Sequence, residues 1–181
     1  MKYSQLCSKA ILAAMALVCA SSGYGQEAPF GLAWGPIDKI PKPASANREA
    51  NITTLFYDES SSFVSESKSA RVILEVCRAE GLQQVITVSP RLPPDELSSL
   101  LKKAHDQGVS RFGESKLLNA PMTEVWNDGR VYLGVSKGLP GQQRIVMRIR
   151  GEQYEKCSAE HYAEVGHLLD LHFDNLVMRA Y

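Results

Sequence analysis

The sequence predicts an α+β domain: a mainly antiparallel sheet of five or six strands with two helices packed on one face. Three stretches predict it. Residues 123–150 (TEVWNDGRVYLGVSKGLPGQQRIVMRIR) read as three consecutive strands joined by turns at Asn127-Asp128-Gly129 and Pro140-Gly141. Asp-Gly tolerates the positive φ of a hairpin turn, and Pro-Gly suits the two central positions of a type II turn. Residues 70–79 (ARVILEVCRA) and 82–89 (LQQVITVS) form a second hairpin around Glu80-Gly81. Between these hairpins, Leu97, Leu100, Leu101 and Ala104 recur at i, i+3, i+4 and i+7, the apolar stripe of a helix that covers a sheet.

The first 25 residues read as a leader rather than as part of the fold. Lys2 and Lys9 flank a short n-region, Ala10 to Ala20 is apolar but too short to span a bilayer, and Gly23 and Gly25 suit the positions before a cleavage site. A lipidated Cys19 is disfavoured because Val18 is too large for the position before it. The expected mature chain, residues 26–181, is a single domain with enough residues for a real core.

Phe30, Leu32 and Trp34 alternate as a short edge strand would, and Pro36, Pro41 and Pro43 then exclude regular helix or inner strand. Asn51 to Tyr57 is rich in β-branched and aromatic residues and reads as a strand. Asp58 to Ser69 is serine-rich and reads as a loop. In the next strand Val72, Leu74 and Val76 share one face while Arg71, Ile73, Glu75 and Cys77 share the other, so both faces carry apolar residues and a central strand is expected. The first helix starts at Pro93-Pro94-Asp95-Glu96, with acidic residues at its positive dipole end and Gly108 in the place of a C-terminal cap. The segment after Cys157 reads as a second helix starting near Ser158, with Tyr162, Val165, Leu169, His172, Phe173 and Leu176 on its buried face.

The motif Phe30-Gly31-Leu32-Ala33-Trp34-Gly35 just after a leader resembles the FGLxWG opening of small exported bacterial proteins of uncharacterised function. The prolines from Pro36 to Pro43 depart from the short helix that often follows it in those proteins. The resemblance implies export and a bacterial envelope setting, and brings no catalytic residues with it.

Charge and cysteine use bound the function. The full chain carries 20 basic and 20 acidic side chains; the leader removes two lysines, leaving 18 against 20 and a net charge of −2. No basic excess points to nucleic acid, and no second apolar run predicts a membrane span. Cys77 and Cys157 remain after the leader, and two cysteines in an oxidising compartment predict one disulfide. The chain contains no HExxH, no CxxC and no phosphate-cradling glycine loop, so no cofactor or metal is expected.

Three sets of residues are candidates for chemistry. Gly134-Val135-Ser136-Lys137-Gly138 matches the G-x-S-x-G nucleophile pattern, and Asp170 and His172 come later in hydrolase order. A turn and a strand succeed the motif in place of the required helix, so glycines easing a strand end account for the match. His167, Asp170 and Asp174 align on one helix face, a set able to hold a divalent ion or act as acid and base, or simply to form a solvated face. His105 and His172 read as structural. Arg144, Arg148 and Arg150 alternate with Ile145, Met147 and Ile149, which places three guanidinium groups on one sheet face. Such a row protects a sheet against edge pairing, and it also recognises carboxylates or phosphates bidentately. The leading expectation is therefore a periplasmic or secreted binding or accessory module whose partner is a protein or an anionic envelope component. A small hydrolase using Ser136 or the His167/Asp170/Asp174 face is the alternative.

Overall fold

The computed structural model describes residues 27–38, 40–58, 60–61, 64, 71–118, 123–136 and 141–167. The leader and the segment after His167 lie outside the described residues, as do Asp170, His172 and Asp174. Among the described residues eight strands form one antiparallel sheet: β1 (Ser45–Glu49), β2 (Ile52–Tyr57), β3 (Arg71–Cys77), β4 (Gly81–Val88), β5 (Lys116–Leu118), β6 (Thr123–Trp126), β7 (Val131–Val135) and β8 (Ile145–Arg150). Their spatial order is β1-β2-β3-β4-β8-β7-β6-β5, so the predicted hairpin and the predicted three-strand unit join edge to edge through β4 and β8. Helix α1 (Pro94–Phe112) connects the two halves, and helix α2 (Tyr154–Val165) follows β8.

The α+β class and the antiparallel sheet agree with expectation; eight strands replace the expected five or six. The two outermost strands account for the difference. Both are short: β1 reads Ser-Ala-Asn-Arg-Glu and is almost wholly exposed, and β5 reads Lys-Leu-Leu and pairs with β6. β1 has no apolar face and β5 has only three residues, so neither leaves a period-2 signal; their order comes from hydrogen bonds to a neighbour's open edge. Conversely, Phe30, Leu32 and Trp34 do not form a strand. Pro29–Gly31 is a 3-10 turn in which Phe30 takes a φ of 64°, which breaks the extended run. All three side chains still pack on the core, and a single bridge, Gly35 to Leu82, fixes the segment to β4.

Strand register separates the two faces of the sheet. Leu55, Leu74, Val85 and Ile149 are aligned neighbours across β2, β3, β4 and β8, so they point to one face. The entry segment covers this face over β2 to β4, and α1 covers it over β6 to β8 through Leu97, Leu100 and Ala104. Cys77 and Ile52 point to the opposite face, where they pack with Tyr154 and Cys157 of α2. The helices therefore lie on opposite faces, which corrects the expectation that both pack on one. β4 lies between them and is buried along its whole length.

Two glycines take roles that the pattern did not assign. Gly108 is not a cap: α1 continues to Phe112 and is closed by Gly113, whose N–H reaches the Val109 carbonyl at 3.0 Å. Gly108 instead gives the buried Trp126 ring its seat, since a Cβ there would lie 2.5 Å from Cζ2. The turn at Asn127-Asp128-Gly129 forms as expected, with all three residues at positive φ, a region that short polar side chains and glycine occupy most readily.

The predicted disulfide between Cys77 and Cys157 is present and spans 80 positions. It ties α2 to β3. A bulge in β4 sets the start of the same helix. There Gln83 falls between the pairs Glu75–Gln84 and Val76–Leu82; its carbonyl accepts from Gly151 N–H and its Oε1 from Gln153 N–H.

Candidate functional site

The arginine row and the surroundings of α2 occupy the same face of the sheet. Arg148 and Arg150 flank Tyr132 of β7, with guanidinium carbons 4.6 and 4.4 Å from its ring centroid. Arg150 also lies 4.1 Å from the ring centroid of Tyr154. A cation over an aromatic face is held by the ring quadrupole, so Tyr132 fixes the direction of both guanidinium groups.

The three arginines share a parity but not an environment. Arg150 is only 5% exposed. Its Nε donates to Gln84 Oε1 at 3.1 Å and its NH1 to the Tyr132 hydroxyl at 2.8 Å, while Gln84 Nε2 donates to the buried Glu75 carboxyl at 2.7 Å. Gln84 thus relays between the acid on β3 and the cation on β8. Arg144 is half-buried and donates to the Ser89 carbonyl at 2.8 Å. Arg148 is half-buried on Tyr132.

Ser136 closes the β7–β8 hairpin. Its N–H donates to the Arg144 carbonyl at 2.9 Å and its Oγ accepts from the Arg144 N–H at 3.0 Å. The three described histidines have partners elsewhere. His105 Nδ1 lies 2.6 Å from Glu124 Oε2 between α1 and β6. His161 meets Asn51, and His167 meets Glu49.

The last two contacts form a cluster that sequence reasoning missed. α2 turns Tyr154, Cys157, Ser158 and His161 toward the sheet, positions i, i+3, i+4 and i+7, and leaves Tyr162 52% exposed, where the apolar pattern placed it in the core. The signal was Cys157: a disulfide to the sheet fixes which face of the helix points inward, and His161 lies one turn further along that face. Gly166 then ends the helix in the left-handed conformation, and His167 comes next. Across from it, the β1–β2 turn holds Ala50 at a φ of 50° and brings Glu49 and Asn51 to the helix. A left-handed alanine costs about 1–2 kcal/mol. Arg78 opposes that cost by donating from its backbone to the Asn51 carbonyl and from NH2 to the Ala50 carbonyl, both at 2.7 Å.

Elsewhere around α2, Lys156 Nζ donates to Glu80 Oε1 at 2.7 Å, and this bond, followed by the charge of Glu80, raises the lysine pKa. Glu80 also lies near Cys77 and Cys157, but disulfide sulfurs are not the thiolates a metal requires. Among the described residues no helix is long and apolar enough to cross a membrane.

Compared with known proteins, the chain matches no family model, no curated protein and no solved structure.

Proposed function

We propose that the protein is an exported binding or accessory module of the bacterial envelope, without catalytic activity, that engages an anionic partner through the sheet face carrying Arg144, Arg148 and Arg150. The observation that carries this reading is the pair of guanidinium groups on Tyr132. A stacked arginine has already lost part of its side-chain freedom, so it gives up less on binding a carboxylate or phosphate. Arg150 is the buried member that orients Tyr132, whereas Arg148 and Arg144 are the members that meet the partner. The leader and the FGLAWG opening support export, and a single disulfide suits an oxidising compartment.

The test is retention of the disulfide-bonded protein on an immobilised polyanion such as polyglutamate, over a salt series. Arg144→Glu combined with Arg148→Glu abolishes salt-sensitive retention while near-ultraviolet circular dichroism stays unchanged. Equal retention of the wild type and the double variant refutes the surface. Cell fractionation of the full chain checks export, and accumulation of uncleaved protein in the cytoplasm refutes that part.

A further inference from the structure

We propose that Glu49, His161 and His167 form a binding site for a divalent cation of the zinc class, with three protein ligands and a fourth position left for water or another donor. The inference does not depend on the arginine face. One potential ligand atom from each residue lies within 4.8 Å of the other two. Glu49 Oε2 is 4.0 Å from His161 Nε2 and 3.7 Å from His167 Nε2. The two rings meet edge to face, with centroids 5.4 Å apart and planes at 82°.

The hydrogen bonds around His161 orient its Nδ1. Asn51 Nδ2 donates to the Cys157 carbonyl at 3.1 Å, which fixes the amide so that Oδ1 faces His161 Nδ1 at 3.3 Å. An amide oxygen only accepts, so Nδ1 carries a proton. In the neutral ring Nε2 then points a lone pair toward a carboxylate. Two electron-rich atoms facing each other repel unless a proton or a cation lies between them. The observed separations exceed those of direct N–H···O bonds, about 2.7–3.2 Å. Two ligands on one tetrahedral zinc, with bonds of about 2.0–2.2 Å, stand roughly 3.2–3.5 Å apart, so a modest contraction completes the site.

Three further features suit an ion. Histidine ligands are characteristically oriented by a bond from the second ring nitrogen to a fixed acceptor, the part Asn51 plays here. His161 is 1% exposed, so a charge at its Nε2 interacts in a low-dielectric surrounding. The left-handed Ala50 places Glu49 and Asn51 on the same side of a turn, and strain of this kind is often retained where geometry serves a function. Two imidazoles and a carboxylate select zinc, cobalt, nickel or copper over magnesium or calcium, which prefer all-oxygen sets.

The experiment is titration of chelator-treated, disulfide-bonded protein with Zn²⁺ by calorimetry, and with Co²⁺ by visible absorption. One ion binds per chain, and Co²⁺ develops the intense bands of a low-coordinate N/O site. His167→Ala and Glu49→Gln, both at half-exposed positions, each weaken Zn²⁺ binding by about 100-fold or more, and Asn51→Ala weakens it by about 10–100-fold, the usual effect of removing an orienting partner. His105→Ala, remote from the cluster, leaves binding unchanged. No stoichiometric binding up to about 100 μM Zn²⁺, far weaker than a built site gives, overturns the proposal. Equal affinity in the wild type, His167→Ala and Glu49→Gln overturns it as well, because the ion then binds elsewhere.

Discussion

Replacing Arg150 with methionine separates a structural arginine from a binding one. The side chain is 5% exposed and its guanidinium makes bonds of 3.1 Å to Gln84 and 2.8 Å to Tyr132, besides lying over two tyrosine rings. Methionine fills much of the volume and removes the charge and the donors. That leaves the Gln84 oxygen and, one bond further, the Glu75 carboxyl without the cation they were arranged around; both residues are 1% exposed. Removing one partner of a buried ionic arrangement costs about 3–5 kcal/mol. Because Gln84 intervenes, the lower half of that range applies to the charge alone, and loss of the stacking on Tyr132 and Tyr154 adds about 0.5–2 kcal/mol. The expected total is about 3.5–6 kcal/mol, a large share of a typical domain's stability of about 5–15 kcal/mol. Urea denaturation followed by tryptophan fluorescence measures it, with Arg148→Met as a control costing less than about 1 kcal/mol, as half-exposed cations do. Glu75→Gln in the Arg150→Met background costs at least about 1 kcal/mol less than in the wild type, since the two act through one network. A loss below about 1 kcal/mol for Arg150→Met, or strict additivity with Glu75→Gln, refutes the relay.

Gly108→Ala gains up to about 1 kcal/mol in helix propensity, but its Cβ meets the buried Trp126 ring at 2.5 Å, and overpacking of about 1–3 kcal/mol makes the variant less stable; a higher urea midpoint contradicts this. Reducing the Cys77–Cys157 bond, which spans 80 positions, costs about 4.5 kcal/mol by chain entropy; paired denaturation curves with and without reductant read the difference, and coincident curves sink the assignment. Burial raises the Tyr57 pKa and the Glu80 contact raises that of Lys156. Both groups hold their protons more tightly in the folded chain, so their contributions are complete below their ordinary values near 10 and are lost as pH rises through the folded ones. The urea midpoint therefore falls at alkaline pH, and less steeply in Tyr57→Phe; a midpoint that rises there contradicts both assignments.

The parts of the fold legible in the sequence are those whose signal is local. The turn at Asn127-Asp128-Gly129, the alternation in β3 and β4 and the leucine stripe of α1 each state their geometry within a few residues. The edge strands β1 and β5 were not legible, because β1 is polar and β5 has three residues, so each is specified by its neighbour rather than by its own pattern. Gly108 was misread because a cap and a close contact both require glycine, and only tertiary structure shows Trp126 opposite. The arginine row was legible as a parity; that Arg150 is buried depends on α2 crossing that face, which no local feature reports. Glu49 and Asn51 had no signal at all. They become a site only when β1 pairs with β2 and the turn between them meets a helix over a hundred positions away.

Helix α2 is the element that both functional readings share. Its start is set by Gln83, its middle by the disulfide, and its last turn by His161 against Asn51. Tyr154 at the first position stacks on Arg150 and thereby supports Tyr132 and Arg148, while His161 and His167 lie at the other end. A helix fixed at three points along its length neither slides nor rotates without breaking several contacts at once. The disulfide lies between the two ends, and the carbonyl of Cys157 is the acceptor that fixes the Asn51 amide. The same residue that staples the helix therefore also orients the amide whose oxygen meets His161 Nδ1. One covalent bond thus holds the arginine end and the histidine end in a common frame, which is why a short helix with mostly exposed outer residues is placed so firmly.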